Sequence, residues 1–213
     1  MMKTPIKLVT DQWINVPWEE YIKIIENPDY LKAKCYYFQG EAKIEMSPLG
    51  SDHASDHSII NLAIHIFAAL NDLPLNGKDN CTYRRTGTQE LQPDLSFYIG
   101  DNVEVIPWGV KIIDLDQYPL PNLVVEIADT TLADDLGKKR ILYENLAIAE
   151  YWIVDVTNAQ VIAFSIENGG SRMITESRVL PGLNIRILTE ALQRTRQTYH
   201  SEVGAWLLKQ FEN

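Results

Sequence analysis

Apolar residues recur along this chain with two periods, and each period marks a different kind of element. Two-residue alternation and short apolar runs mark strands at Cys35–Phe38, Ala42–Met46, Thr82–Arg85, Pro93–Ile99, Leu123–Ala128, Glu150–Asp155, Val161–Ile166 and Met173–Thr175. Three- and four-residue spacing marks helices over Trp18–Ile25, from a cap at Ser51 or Asp52 through Leu70, over Leu132–Leu146 behind Asp129-Thr130-Thr131, and in a final tract ending in Trp206, Leu207, Leu208 and Phe211. Gln39-Gly40-Glu41 and Asn168-Gly169-Gly170 read as hairpin turns. Asn27-Pro28 and Pro48-Leu49-Gly50-Ser51 read as breakers, and Val103–Trp108 with Asp114–Pro121 as an irregular, proline-rich connection. This order predicts an α+β fold, a mixed central sheet flanked by helices. An N-terminal helix and hairpin precede the sheet and a C-terminal helical extension follows it. No repeat, low-complexity tract or linker divides the chain, so one domain over residues 1–213 is expected.

One predicted strand breaks its own rule. Leu123-Val124-Val125-Glu126-Ile127-Ala128 reads as buried throughout, yet carries a carboxylate in its middle. An ionised carboxylate isolated in an apolar interior is too costly to persist, so Glu126 must be metal-bound, paired or protonated. Asp94 lies upstream in a similar setting, in Pro93-Asp94-Leu95-Ser96-Phe97, where Leu95, Phe97 and Ile99 alternate with the face bearing Asp94 and Ser96. The two acids together suggest a metal site on neighbouring strands.

The helix after Glu126 adds a cation. At about 3.6 residues per turn, Leu136, Leu142, Tyr143, Leu146 and Ala147 form one apolar arc with Lys139 near its centre, and Lys138 and Arg140 at its edges. Asp135 and Tyr143 stand four residues to either side of Lys139, which aligns the three along the helix. Two readings compete: a structural lysine whose stem follows the apolar face, and a functional cation presented to Glu126.

Composition narrows the classes. Two hundred and thirteen residues with 46% hydrophobic content allow a sizeable core, and the formal net charge of −10 argues against broad, unaided nucleic-acid binding. Arg84-Arg85 and Lys138-Lys139-Arg140 are the compact basic groups through which a local nucleic-acid contact would have to run. No apolar stretch has the length of a membrane span and Met1–Pro5 carries no apolar leader, so a cytoplasmic protein is expected. Cys35 and Cys81 lack metal-knuckle spacing and read as reduced structural residues. His53 and His57 sit one helical turn apart without the flanking glutamate of a zinc protease, which favours a solvated or capping first turn. Glu41 and Glu45 read as exposed hairpin charges, with Glu41 and His53 kept as auxiliary site candidates.

Taken in order, Gly40-Glu41, Met46-Ser47-Pro48, His53, Pro93-Asp94, Val124-Val125-Glu126-Ile127, Asp135-x-x-x-Lys139-x-x-x-Tyr143 and Glu150-Tyr151-Trp152-Ile153-Val154-Asp155 resemble the restriction-endonuclease family abundant in cyanobacterial genomes, which is assigned to the PD-(D/E)XK nuclease fold. The resemblance runs from about Trp18 to about Ile187. It implies a restriction-endonuclease-like core and metal-dependent hydrolysis of phosphodiester bonds, in DNA. Asp94 and Glu126, with a backbone carbonyl near Ile127, would hold Mg²⁺ or Mn²⁺, and Lys139 would be the catalytic cation, steadied by Asp135 and Tyr143. In Glu126-Ile127-Ala128, alanine stands where the fold ordinarily has lysine, and the resemblance implies that the lysine has moved to the following helix as Lys139. The helical arc reaches Lys139 separately. A homodimer would suit a double-strand cutter, and no membrane partner is implied. Two other readings are a lapsed nuclease-fold protein that binds nucleic acid or serves assembly, and a pair of buried carboxylates that is purely structural.

Overall fold

Strand alternation and helical spacing set most elements of the computed structural model, which describes residues 10–46 and 50–212. In chain order these are β1 (Ile14–Asn15), α1 (Trp18–Ile25), a 3₁₀ turn at Pro28–Tyr30, β2 (Lys34–Phe38), β3 (Glu41–Glu45), α2 (Ser51–Leu70), β4 (Leu75–Asp79), β5 (Thr82–Arg85), β6 (Gln89–Leu91), β7 (Leu95–Ile99), a 3₁₀ turn at Gly100–Asn102, β8 (Ile112–Asp114) and β9 (Leu123–Ala128). There follow α3 (Leu132–Asp134), a π-helical turn at Asp135–Lys139, α4 (Arg140–Leu146), β10 (Glu150–Asp155), β11 (Gln160–Glu167), β12 (Gly170–Ile174), α5 (Ile185–Thr195) and α6 (His200–Phe211). The fold is α+β. Among the described residues no helix is long and apolar enough to cross a membrane.

The chain packs as two compact units. The first takes residues 10–46 with Thr82–Gln92 and Lys111–Gln117; the second takes residues 50–81, Pro93–Val110 and 118–212. In the first, a six-stranded sheet runs in the order β1-β3-β2-β6-β5-β8. The β2–β3 hairpin closes through Gln39 and Gly40, both at positive φ, the geometry of a tight turn matched to strand twist. Tyr21 of α1 joins Cys35, Tyr37, Ala42 and Ile44 in one apolar cluster, so the helix braces this hairpin. The sheet includes β8, inside a stretch that the sequence pattern marked as irregular. Its three residues pair in parallel with β5, a non-local contact that no local periodicity announces.

The second unit holds the sheet β12-β11-β10-β9-β7-β4, in which β9 and β10 run parallel and the other neighbours antiparallel. Every residue of β9 and β10 is buried, as expected for strands covered on both faces. Leu123, Val125 and Ile127 of β9 join Ile60, Ile64 and Phe67 of α2 and Leu188 and Leu207 of the last helices in one core. Helix α2 thus covers one sheet face. Asn168 and Gly169, both at positive φ, turn β11 into β12.

Four local expectations change. The N-cap of α2 is Gly50, in extended conformation and with no side-chain cap, because Ser51 already lies inside the helix. The breaker residues Pro48 and Leu49, the Ser47-Pro48 pair and Met1–Pro5 lie outside the described residues. The helix expected over Leu132–Leu146 is three segments, since Gly137 (φ −105°, ψ −105°) departs from helical geometry inside the π turn. That departure shifts the phase of the arc: Leu136 is half-buried, and Ala147, in the left-handed conformation that ends α4, is exposed. The final helical tract is two helices, α5 and α6.

Candidate active site

The second sheet sets the chain positions of the two suspect carboxylates on neighbouring strands. Leu95 of β7 lies opposite Val125 and Ser96 opposite Val124, so one further step of the same antiparallel register sets Asp94 opposite Glu126. Directly opposed residues share a sheet face. Asp94 stands just before β7, and its Oδ2 accepts the Ile127 backbone N–H at 2.8 Å, which fastens the strand entry to β9. Asp94 is 2% exposed and Glu126 1%.

Lys139 reaches Glu126 from the π turn. Its Nζ lies 3.7 Å from Glu126 Oε2 and 3.0 Å from Asp135 Oδ1, the latter an ion pair rather than an aligned hydrogen bond. Tyr143 donates its hydroxyl to Glu126 Oε1 at 2.6 Å. The lysine is 1% exposed and Asp135 fully buried, so the cation and its acids are mutually required. Lys139 and Tyr143 thus meet Glu126 directly, and Asp135 meets Lys139.

Two further groups enter that the sequence pattern did not single out. Thr131 donates its hydroxyl to Asp135 Oδ2 at 2.5 Å, and Tyr151 of β10 donates to the Asp135 backbone carbonyl at 3.1 Å. Thr131 read as a helix cap; here it makes no cap bond, because its hydroxyl is committed to the carboxylate. Tyr151 read only as part of a buried strand. Its ring lies 4.5 Å from that of Tyr143, at 34°. Burial pushes both phenols well above their ordinary range, with the charge of Glu126 adding for Tyr143 and that of Asp135 for Tyr151. Both therefore stay protonated and act as donors.

The spacing of the histidines favoured a solvated or capping first turn; His53 is neither solvated nor capping, being buried with its Nδ1 making no hydrogen bond. His53 is buried, with Nε2 3.6 Å from Asp94 Oδ1, because the first turn of α2 lies beside the entry to β7. His57 stacks below it, its ring 6.5 Å away at 14°, and its Nε2 lies 3.3 Å from Asp79 Oδ1 and 3.4 Å from the Asp94 carbonyl oxygen. Glu41 opens β3 in the first unit, half-buried, opposite Phe38 and Asn15. Glu45 pairs with Lys43 at 2.9 Å rather than standing exposed. Several basic residues meet acids within their own units: Arg84 meets Glu90, Arg85 lies 3.6 Å from Asp116, and Arg140 lies 3.7 Å from Glu144. Cys35 and Cys81 are not joined in a disulfide, and burial pushes Cys35 up to about 12, so it remains protonated and inert.

The donor set can be tested against a metal. Among the described residues no group of three or more His, Cys, Asp or Glu side chains is arranged to hold one. A closed, all-protein site of the structural zinc kind is therefore not what these residues offer. Two buried carboxylates at opposed positions do fit a hard cation that binds through one or two carboxylates and retains several waters.

A family model named Uma2 and described as "Putative restriction endonuclease" matches residues 18–206. Among solved structures, a crystal structure described as a putative nuclease belonging to DUF820, from Anabaena variabilis ATCC 29413, superposes with a TM-score of 0.53 at 14% identity, covering 91% of this chain and 99% of that one. At that identity the likeness concerns the fold. No curated protein matches the chain.

Proposed function

The chain belongs to this restriction-endonuclease family, and on that premise we propose that it is a metal-dependent endonuclease that hydrolyses phosphodiester bonds in DNA, with Asp94, Glu126 and Lys139 as its catalytic residues. The observation that carries the reading is the Lys139 ammonium 3.7 Å from Glu126, on a strand whose neighbour delivers Asp94. An acid, a second acid and a lysine in one buried cluster are the chemistry a phosphodiester demands, since charge accumulates on the phosphoryl oxygens as the bond breaks.

Asp94 and Glu126 would hold Mg²⁺ or Mn²⁺, which when bound supplies polarisation of the scissile phosphate and a lowered pKa for an attached water. The remaining work falls to the chain itself. Lys139 presents a fixed positive charge beside Glu126, able to orient the attacking water or offset charge on the phosphoryl oxygens. Asp135 and Tyr143 hold that geometry, Asp135 by pairing the ammonium and Tyr143 by fixing Glu126 Oε1. His53 stands beside Asp94 Oδ1 and limits how that carboxylate can turn. Alanine at position 128 leaves Lys139 as the lysine of the site.

A second reading is favoured by one set of facts: the net charge of −10, and arginines that meet acids of their own unit. It is a nuclease-fold protein that binds nucleic acid, or assembles, without cutting. Plasmid and oligonucleotide cleavage with Mg²⁺ or Mn²⁺ separates the two. Metal-dependent cutting that disappears in Glu126→Gln supports the enzyme; binding without cutting under both metals supports the second reading.

A further inference from the structure

Lys139 sits in a turn whose backbone does not hold itself. The segment Asp135–Lys139 joins two helical pieces across a kink at Gly137 (φ −105°, ψ −105°), so the regular helical geometry that would stiffen the turn is interrupted where the lysine must be aimed. A change of backbone angle at this kink would turn the Lys139 side chain away from Glu126. Some other group must hold the kinked turn in place.

Asp135, at the head of the turn, is fastened at three atoms. Oδ1 faces Lys139 at 3.0 Å, Oδ2 accepts from Thr131 at 2.5 Å, and the backbone carbonyl accepts from Tyr151 at 3.1 Å. The two hydroxyls come from different places. Thr131 lies in the loop leaving β9, whereas Tyr151 belongs to β10, opposite Val124 of β9. Strand β10 thus reaches the backbone of Asp135, while the residue that opens α3 holds its side chain from one turn away. Tyr151 is fully buried, so its hydroxyl does not exchange this partner for water.

We propose that Thr131 and Tyr151 are positioning residues, which fix Asp135 at the head of the kinked turn and so keep the Lys139 ammonium against Glu126. Neither touches the reacting atoms; both act through Asp135. The catalytic consequence rests on the nuclease reading, but the placement of the ammonium does not, and it is measured separately.

The test uses the full chain and three substitutions: Thr131→Val and Tyr151→Phe each delete one hydroxyl while keeping the bulk, and Thr131→Ser keeps the hydroxyl. The ¹⁵N–¹H ammonium signal of Lys139, assigned by its loss in Lys139→Arg, reports whether the cation stays buried and paired. Proton exchange at that ammonium should quicken about tenfold in Thr131→Val and in Tyr151→Phe, as expected when one hydrogen bond to a fixed partner is lost. Thr131→Ser should restore the wild-type rate, while amide exchange in β10 and β11 stays unchanged in all three. Turnover should fall by about the same factor with metal and DNA affinity unaltered. Unchanged ammonium exchange in both deletions would overturn the proposal, as would Thr131→Ser behaving like Thr131→Val. Should Thr131→Val not fold, Tyr151→Phe and Thr131→Ser still decide it. A wild-type protein that cuts nothing would sink the nuclease reading, while the ammonium signal would still decide the roles of Thr131 and Tyr151.

Discussion

Glu126 and Glu150 lie on adjacent parallel strands of one sheet, both buried, and the molecule treats them in opposite ways. Glu150, at the start of β10, accepts from Trp152 Nε1 at 2.9 Å, Ser177 Oγ at 2.9 Å, the Arg178 backbone N–H and the Val179 backbone N–H at 3.2 Å. All four donors are fixed and uncharged. Ser177 in turn accepts the Leu180 N–H at 2.9 Å, so the carboxylate anchors a turn. Glu126 instead meets a phenol and a lysine, the lysine at a longer 3.7 Å and shared with Asp135. A carboxylate saturated by backbone and side-chain N–H and O–H groups is a structural fastening. One facing a cation beside a second acid keeps chemistry to spend. Burial alone does not separate the two roles; the identity of the partners does.

The largest effect expected from this contrast is on turnover. Lys139→Ala should lower the cleavage rate by about two to three orders of magnitude with metal binding largely intact, the scale of removing one preorganised donor. Lys138→Ala and Glu150→Gln should leave turnover per folded molecule within a few-fold, and rates equal in wild type and Lys139→Ala would erase the distinction. Stability should sort the acids the other way. Glu150→Gln turns an amide N–H₂ toward groups that are themselves donors and should cost about 3 kcal/mol, whereas Glu126→Gln, which leaves Lys139 paired to Asp135, should cost about 1 to 2 kcal/mol. Urea unfolding followed by tryptophan fluorescence measures both, and a reversed order would contradict the contrast. Ala128→Lys places a second lysine in β9, at a buried position opposite Asp155. It should not raise cleavage; a strong rise would show that Lys139 is an inadequate substitute for a lysine on the strand.

The smallest effect is alkaline. Burial first, and then the charge of Glu126, raise the Tyr143 phenol above its ordinary value of 10.0. A raised folded pKa means that stability is fully present below about pH 10 and is lost as pH climbs from there toward the folded value, because the unfolded chain ionises first. Tyr143→Phe should reduce that alkaline decline and cost about 1.5 to 3 kcal/mol at neutral pH, where Glu126 loses a donor. A pH series of unfolding midpoints reads it, and an unaltered slope would detach Tyr143 from the cluster.

The same contrast explains what the chain reveals before it folds. Glu126 is conspicuous because it interrupts an apolar run at mid-strand, and Lys139 because it falls inside an apolar arc with acids and a phenol at helical spacing. Both signals are local. Glu150 opens its strand, where a charge is unremarkable, and three of its four partners arrive from Ser177 to Val179, 27 to 29 residues away. Nothing in the local pattern of β10 foretells them. Thr131 was visible, but its hydroxyl serves Asp135 instead of the helix backbone, a choice made by the π turn that Gly137 introduces. His53 looked solvated because helical spacing cannot say that α2 begins beside Asp94. The short strand β8 escaped for a related reason, since it is defined by a partner distant in the chain.

The most direct measurement is a thermal-shift titration with Mg²⁺ and Mn²⁺ on wild type, Glu126→Gln and Glu150→Gln. A ligand of the native state alone stabilises it by about 2.7 kcal/mol when present at about 100 times its Kd. Wild type should gain stability with added cation, Glu150→Gln should gain as much from a lower starting point, and Glu126→Gln should gain little. A shift in Glu126→Gln equal to that of wild type would place the cation elsewhere and contradict a metal site built on Glu126.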